Sequence, residues 1–332
     1  MSEPRSLVSV VVPCFNEEAV LDETHRRLRA ALEAIDADHE IIYVNDGSKD
    51  GTVAALRRLY AADPGHVRVV DLSRNFGHQL AVTAGIDHSA GDAVVLIDAD
   101  LQDPPELIAA FVSRWREGFK VIYGVREERQ GESAFKRWTA ARFYRLLNRL
   151  SDVPIPLDTG DFRLMDRVAV DALRRMGEQD RFIRGMVSWV GYRQIAVPYA
   201  RAPRFAGESK YPFFKMLRFA IDGIVSFSIS PLKIVTWLGG AASLFAAAGM
   251  FYAVVLRLLT DIWVPGWTLL FMSMLLLGGI QMISLGILGE YIGRIYRETK
   301  RRPLYLVQDV LGFDRAVRSR PAPDSGDPCA KA

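Results

Sequence analysis

The chain has 332 residues, of which 50% are hydrophobic and 24% charged, and its formal net charge is +3. That length allows one large domain with an appendage or two domains, and the high hydrophobic share indicates a soluble part joined to a membrane part. A charge so near neutrality gives no basis for expecting nucleic acid as a partner. Two cysteines at opposite ends and five scattered histidines show neither a disulfide framework nor metal-ligand spacing.

The first half of the chain alternates between predicted strands and predicted helices. Runs rich in Val and Ile predict strands at 7–12, 40–44, 67–72, 93–97 and 119–123. Helices are expected after Asn16, taken as an N-cap, after Asp50, and after Asp103, which is expected to cap the third helix. Such alternation with nearly continuous apolar strands favours an α/β fold, a mostly parallel sheet with helices on both faces.

Polar clusters follow the first four strands, at 13–18, 45–51, 73–78 and 98–100. Any one of them is compatible with an ordinary turn, because Asn, Asp, Gly and Ser favour turns. The carboxyl ends of parallel strands share one edge of a sheet, where ligands of such folds bind. Four clusters at that edge therefore predict a single binding cleft.

The fourth strand runs directly into Asp98, Asp100 and Asp103. Carboxylates this close repel one another and resist burial, so a positive partner is expected. Carboxylate oxygens suit hard cations, and Mg²⁺ binds through one or two carboxylates together with substrate phosphates. Asp98 and Asp100 therefore predict a Mg²⁺ or Mn²⁺ site with a nucleotide diphosphate. No G-x-G-x-x-G follows the first strand and no P-loop motif occurs, which disfavours dinucleotide and P-loop sites.

The second half carries a membrane signature. Residues 213–229 are apolar apart from a narrow charged stripe, which predicts an interfacial helix. Stretches 234–256 and 262–289 lack charged residues, predicting transmembrane helices at about 234–256 and 264–289. Basic residues flank both outer ends, so the positive-inside rule predicts a hairpin with both ends in the cytoplasm. No signal peptide is recognisable, and the first domain is expected to stay in the cytoplasm.

The expected layout has five parts. Residues 1–211 form a cytoplasmic domain, 212–232 a juxtamembrane interfacial helix and 233–292 the two spans. Residues 293–317 form a cytoplasmic C-terminal segment. Residues 318–332 are rich in Pro, Asp and Gly and are predicted to be disordered.

Four stretches of the first half share a recognisable pattern: SVVVPCFNEE, IIYVNDGSKDGT, LSRNFGHQLAVTAGIDHSAGD and LIDADLQDPPE. They resemble glycosyltransferase family 2, which has the GT-A nucleotide-sugar fold. Three later stretches narrow the resemblance: DTGDFRLMDR, RFIRGMVSWVGY and RFAGESKYPFFKMLRFAIDGI. They are similar to the bacterial polyprenyl-phosphate (bactoprenol) glucosyltransferases, close relatives of dolichol-phosphate mannose synthases. The resemblance covers roughly residues 6–312, and the absence of Gln-x-x-Arg-Trp near Gln179 disfavours repeated sugar addition.

The resemblance implies inverting transfer of one glucose from UDP-glucose to undecaprenyl phosphate, at the cytoplasmic face of the bacterial inner membrane, by a homo-oligomer, a tetramer. Catalytic roles fall on Asp98, Asp100, Asp158, Asp161 and Arg126. The donor is bound by Pro13, Phe15, Glu17, Asp46, Asp98, Gln102, Arg204, Ser209 and Lys210. The metal is held by Asp98, Asp100 and Gln102. The acceptor phosphate meets Arg126, Lys136, Arg137 and Arg142.

Elementary chemistry supports several of these roles. A phosphate monoester has a second pKa of about 6, so it attacks as a dianion without a strong general base. Arginine offers phosphate a planar fork and lysine a point charge. Basic and apolar residues interleave over 135–150, which is typical of a helix at an anionic membrane surface. A solvated charged helix lying on a core is the alternative for that segment.

Three other functions remain open at this point. The same reaction could use a UDP-amino sugar, UDP-N-acetylhexosamine or GDP-mannose, since one sequence does not discriminate the donor. A membrane-anchored protein that only binds nucleotide sugars is disfavoured by the joint presence of Asp98, Asp100, Arg126, Asp161 and Lys210. A sugar-lipid flippase is disfavoured because two uncharged spans make poor transport machinery.

Overall fold

The computed structural model describes residues 5–126, 159–200, 230–259 and 266–313. These residues fall into two compact units. The first contains residues 5–126, 159–200 and 302–313, and the second contains residues 230–259 and 266–301.

One eight-stranded sheet forms the centre of the first unit. Its strands are β1 (Leu7–Cys14), β2 (Asp38–Asn45), β3 (Val67–Leu72), β4 (Ala93–Leu96), β5 (Val121–Arg126), β6 (Thr159–Asp166), β7 (Gln194–Tyr199) and β8 (Val307–Leu311). Their order is β7-β5-β6-β4-β1-β2-β3-β8. β1 to β5 and β7 run in one direction, whereas β6 and β8 are antiparallel to their neighbours. The predicted α/β sheet is confirmed, and the two antiparallel strands are additions that the sequence pattern did not indicate.

Helices cover both faces of this sheet. They are α1 (Leu21–Glu33), α2 (Thr52–Ala62), α3 (His78–His88), α4 (Ile108–Arg116, after a 3₁₀ turn at Pro105–Leu107), α5 (Arg167–Arg175) and α6 (Ile183–Val190). Alternate residues of β1 serve the two faces: Val10 and Val12 join the core cluster that contains Leu28 of α1, whereas Val11 lies beneath Gly85 of α3. All three valines are fully buried. Burial on both faces explains why the strands are continuous apolar runs.

Two expected helix caps are wrong. α1 begins at Leu21, and Asn16 lies earlier with a left-handed backbone (φ 57°). Asparagine tolerates this conformation because its short polar side chain bonds locally. Asp103 does not cap the helix that follows it. It is buried and accepts a hydrogen bond from the Tyr199 hydroxyl, so it belongs to the core.

The C-terminal segment of the first unit supplies β8, which pairs with the edge strand β3. Tyr305, just before β8, is only 8% exposed, and its hydroxyl donates to Asp87 Oδ2 at 2.9 Å. The backbone N–H of Ser73 donates to the Leu306 carbonyl at 2.9 Å. Residues 302–313 are therefore part of the sheet domain, although they follow the two long helices in the chain.

The second unit consists of α7 (Ser230–Leu259) and α8 (Trp267–Thr299), which contact each other. By length and composition, Val235–Tyr252 and Ser273–Thr299 are apolar enough to cross a membrane. Large apolar side chains on both helices are exposed, including Phe245 at 83% and Leu275 at 73%. The predicted interfacial helix at 213–229 and the basic segment at 135–150 lie outside the described residues.

Gly85 provides a test of the packing between α3 and β1. A Cβ at Gly85 would lie 2.2 Å from Val11 Cγ1, so Gly85→Ala forces the helix away from the sheet. We expect the free energy of unfolding to fall by about 1–3 kcal/mol, because overpacking outweighs the better helix propensity of alanine. Urea unfolding followed by circular dichroism measures this. Gly65→Ala is the control, since its nearest neighbour is Asp63 Oδ1 at 3.8 Å; equal stability of the two variants would contradict the packing.

Candidate active site

The loops after β1 and β2 are tied together at the carboxyl edge of the sheet. Asn16 N–H donates to Ser48 Oγ at 3.0 Å, and Lys49 N–H donates to Asn16 Oδ1 at 2.8 Å. Glu17 N–H donates to Thr52 Oγ1 at 2.9 Å. Three predicted donor-binding residues stand at this edge, namely half-buried Pro13, exposed Phe15 and half-buried Glu17. These bonds give a defined shape to the loop that carries Phe15 and Glu17, while Pro13 is held in β1.

Asp46 fixes the loop between β3 and α3. It is 3% exposed and accepts hydrogen bonds from Phe76 N–H at 2.7 Å and Gly77 N–H at 2.9 Å. Burial raises the pKa of Asp46, and the two backbone donors oppose that rise. Gly77 has φ 99°, a conformation open to glycine and strained for other residues. Asp46 thus supports the turn from which α3 begins.

The turn after β4 carries the predicted metal ligands. Asp100 Oδ1 accepts a hydrogen bond from Gln102 N–H at 3.1 Å, and Gln102 is 8% exposed. Between them, Leu101 has a left-handed backbone (φ 57°), which costs about 1–2 kcal/mol for a non-glycine residue. Its side chain is buried, and that burial offsets the strain. The turn therefore holds one defined shape at Asp100.

The register of β6 brings Asp161 opposite Asp98. β4 and β6 pair Val94 with Met165 and Leu96 with Arg163, and continuing that antiparallel register places residue 161 across from residue 98. His78 Nε2, in the first turn of α3, lies 3.1 Å from Asp161 Oδ2 and 3.7 Å from Asp98 Oδ1. Two predicted catalytic carboxylates thus share one histidine.

Three further side chains contact Asp161. Gln79 Nε2 donates to Oδ2 at 3.3 Å, and Arg184 donates to Oδ1 from Nε at 3.3 Å and from Nη2 at 3.2 Å. Arg163 Nη2 lies 3.9 Å from Oδ1, and the Arg163 side chain is 3% exposed. Gln79 Oε1 also accepts from Ile183 N–H at 2.9 Å. Asp161 therefore joins α3, β6 and α6 through charge-assisted hydrogen bonds.

The charges in this cluster depend on one another. Burial raises the pKa of Asp161, but the His78 hydrogen bond and the Arg184 and Arg163 charges outweigh it and hold that pKa well below its usual range. Burial lowers the pKa of His78, yet Asp161 and Asp98 raise it to about 9. Burial and the neighbouring carboxylates raise the pKa of Asp98 to about 6, with His78 opposing. At neutral pH Asp161 is an anion and His78 a cation.

Sequence reasoning did not assign His78, Gln79, Arg163 or Arg184 to the site. His78 stands in the polar cluster after the third predicted strand, so a signal existed for it. Arg163 and Arg184 lie on β6 and α6, and they reach the edge only because β6 lies between β4 and β5.

Several predicted site residues are not placed by the structure. Arg126 is the last residue of β5, whose carboxyl end lies at the same edge, and only its backbone is described. The residues outside the described ranges are Lys136, Arg137, Arg142, Asp158, Arg204, Ser209 and Lys210.

A mixed α/β sheet with acidic residues directly after β4, at its carboxyl edge, is the GT-A-like arrangement that the sequence predicted. Residues 9–174 match the family model described as Glycosyl transferase family 2. The chain is 50% identical over 306 residues to the "uncharacterized glycosyltransferase YkcC" of Bacillus subtilis, covering 92% of this chain and 94% of that protein. The chain therefore belongs to glycosyl transferase family 2, and the predicted enzyme class is confirmed.

Two other similarities extend over most of the chain. The "bactoprenol glucosyl transferase" of Shigella phage SfV is 41% identical over 308 residues, covering 91% of this chain and 98% of that protein. Among solved structures, mannosyltransferase PcManGT from Pyrobaculum calidifontis has a TM-score of 0.45 at 17% identity, covering 90% of this chain and 88% of that one.

Proposed function

We propose that this enzyme transfers a single glucosyl group, with inversion, from UDP-glucose to polyprenyl phosphate. The observation that carries the proposal is the carboxylate turn after β4 at the cleft edge, with Asp98 facing Asp161 across the sheet register. The similarity to a phage protein named bactoprenol glucosyl transferase supports the acceptor and the sugar. A UDP-amino sugar, UDP-N-acetylhexosamine or GDP-mannose remains the alternative donor.

The donor nucleoside would lie on the loops after β1 and β2. Phe15 is 42% exposed, so its ring is open to stack on a base, and Pro13 and Glu17 border the same loop. Asp46 would act by holding the loop of Phe76 and Gly77 in place beside the nucleoside. Arg204, Ser209 and Lys210 are assigned to the donor diphosphate by resemblance alone.

A divalent cation fits the donor set of this edge. Asp98 and Asp100 follow β4 two residues apart, and among the described residues the ion pair of Asp98 is with His78, whose Nε2 lies 3.7 Å from Asp98 Oδ1. Among the described residues, no group of three His, Cys, Asp or Glu side chains could hold a metal. Two carboxylates, with Gln102 beside them, suit Mg²⁺ or Mn²⁺ shared with a diphosphate. Such a cation would supply charge neutralisation to the leaving nucleotide diphosphate.

The acceptor requires no strong proton acceptor from the protein. A phosphate dianion can attack the anomeric carbon directly, and one displacement inverts that centre. Asp161 agrees with this, because a carboxylate whose pKa is held far down accepts a proton poorly. Arg126, with Lys136, Arg137 and Arg142, would bind the acceptor phosphate. Asp158 would orient the sugar or the acceptor.

The two long helices would anchor the enzyme as a membrane hairpin. Their length and composition suit a bilayer, and basic residues flank the outer ends. We infer that the first unit and both termini face the cytoplasm, with the connection near residue 260 outside. This layout places the sheet domain on the side where nucleotide sugars are made.

Asp100→Asn tests the metal and the reaction together. With polyprenyl phosphate and labelled UDP-glucose, we expect turnover to fall roughly a hundredfold or more. A neutral amide is a poorer ligand than a carboxylate for the divalent cation that would stabilise the leaving nucleotide diphosphate. EDTA should silence the wild type and Mg²⁺ or Mn²⁺ should restore it. Asp36→Asn, at a 79% exposed carboxylate, is the control and should leave turnover unchanged. Full wild-type activity in EDTA would refute the metal.

Arg126→Ala tests the acceptor site. We expect KM for polyprenyl phosphate to rise, or kcat to fall, by roughly ten- to a hundredfold, the loss of about 1.5–3 kcal/mol from one charge-assisted contact. Arg126→Lys should recover part of the loss, since the forked geometry is missing. UDP affinity, measured by calorimetry, should hardly change. A collapse of UDP affinity at constant acceptor KM would instead move Arg126 to the donor site.

Thr260→Cys, in a chain with Cys329→Ser, tests the hairpin. An impermeant maleimide added to intact cells should label this cysteine, because the connection between the spans is expected outside. Asp36→Cys in the same background is the control and should be labelled only after the cells are opened. Labelling of the Asp36→Cys chain from outside would reverse the topology.

A further inference from the structure

The Asp161 carboxylate has its hydrogen-bond acceptors filled by protein groups. Two N–H groups of Arg184 bond to Oδ1, and His78 and Gln79 contact Oδ2 at 3.1 and 3.3 Å. A carboxylate offers about four lone-pair sites, so these four contacts saturate it. Asp161 could accept a proton or a sugar hydroxyl only by giving up one of these partners. Asp161 therefore contributes to activity by orienting the side chains bonded to it, rather than by contacting a reactant.

Arg184 has N–H donors that Asp161 does not engage. Its guanidinium has five N–H donors in a rigid fork, and Asp161 engages those on Nε and Nη2. Among the described residues, Nη1 has no hydrogen-bond partner, and the side chain is 26% exposed. The guanidinium carbon lies 5.9 Å from the centre of the Phe182 ring, within the range of a cation–π contact. One edge of the fork is thus fixed by Asp161, and donors remain at the other.

The backbone that carries Arg184 is held by the same cluster. Gln79 Oε1 accepts from Ile183 N–H at 2.9 Å, while Gln79 Nε2 donates to Asp161. The buried Arg163 adds positive charge 3.9 Å behind Asp161. Asp161 Oδ1 therefore lies near two guanidinium groups, those of Arg184 and Arg163, and one carboxylate charge does not neutralise both.

We propose that Arg184 binds a phosphate group of a reactant and that Asp161 and Gln79 are positioning residues that orient it. This inference rests on the proposed function, whose two reactants both carry phosphate, the diphosphate of the donor and the monoester of the acceptor. Guanidinium recognises phosphate oxygens through paired N–H donors, and a pre-oriented fork does so without losing side-chain freedom on binding.

The test compares Arg184→Gln with wild type as full-length protein in detergent. UDP and GDP are titrated by calorimetry with Mn²⁺, and KM for polyprenyl phosphate is measured by labelled-glucose transfer. We expect roughly a ten- to hundredfold loss in one of these, the range for one charge-assisted contact. Weaker nucleotide diphosphate binding identifies the donor as the source of the phosphate, and a higher acceptor KM identifies the acceptor.

Matched variants separate binding from folding. Arg175→Gln removes the same charge from an exposed side chain and should stay within twofold of wild type in both readouts. Asp161→Asn should change the same readout as Arg184→Gln, because Arg184 loses its anchor. Arg184→Lys should restore part of the affinity and provides the measurement if Arg184→Gln fails to fold.

Two results would overturn the proposal. One is Arg184→Gln and Arg184→Lys within twofold of wild type in both nucleotide affinity and acceptor KM. The other is Asp161→Asn without turnover while Arg184→Gln keeps wild-type turnover, which would make Asp161 act directly. The nucleotide titration does not depend on the transfer reaction. If Arg184→Gln lost diphosphate binding while the wild type showed no glucosyl transfer, the proposed function would be wrong and the role of Arg184 in phosphate binding would stand.

Discussion

The need to neutralise clustered negative charge governs the carboxyl edge of this sheet. Asp98 follows β4 and Asp161 lies on the neighbouring β6, and His78 contacts both carboxylates, of which Asp161 is the more buried, with a side chain 15% exposed against 37% for Asp98. The two carboxylates have unequal partners: Asp161 contacts Arg184 and His78 and lies near Arg163, whereas among the described residues the ion pair of Asp98 is with His78, at 3.7 Å. Asp161 therefore has its hydrogen-bond acceptors filled by protein side chains, and this difference in partners is the basis for proposing Asp98, rather than Asp161, as a metal ligand.

Two residues at the carboxyl edge of the sheet have left-handed backbone conformations that shape its loops. Leu101 adopts a left-handed backbone between Asp100 and Gln102, and Asn16 does so between the loops after β1 and β2. Both are non-glycine residues, so their strain has to be balanced by burial or by hydrogen bonds. Leu101 is buried, and Asn16 bonds Ser48 and Lys49. The protein's own burial and hydrogen bonds thus hold the shapes of the loops after β1 and β4.

The sequence predicted the parts of the fold that follow from local periodicity. Five strands and the helices between them were predictable because apolar runs such as β1 are buried on both faces. The two long helices were predictable from their length and lack of charge. The antiparallel β6 and β8 were not readable, because strand order depends on long-range pairing. The same limit applies to the site: Asp98 and Asp100 stand next to a strand, whereas Arg184 reaches Asp161 only through tertiary contacts. Asp103 shows the converse error, because a local cap was expected and a buried bond to Tyr199 was found.

Residues 302–313 stabilise the loop before α3 at the carboxyl edge of the sheet. The Leu306 carbonyl accepts the N–H of Ser73, the first residue of the loop whose Phe76 and Gly77 bond Asp46. Tyr305 binds Asp87 near the end of α3, the helix that presents His78 and Gln79 at its start. Residues that follow both long helices therefore brace the loop before α3 and the far end of α3 itself. The first unit is completed only after the chain has formed the second unit. The loop before α3 therefore depends on residues that come both before and after the second unit in the sequence.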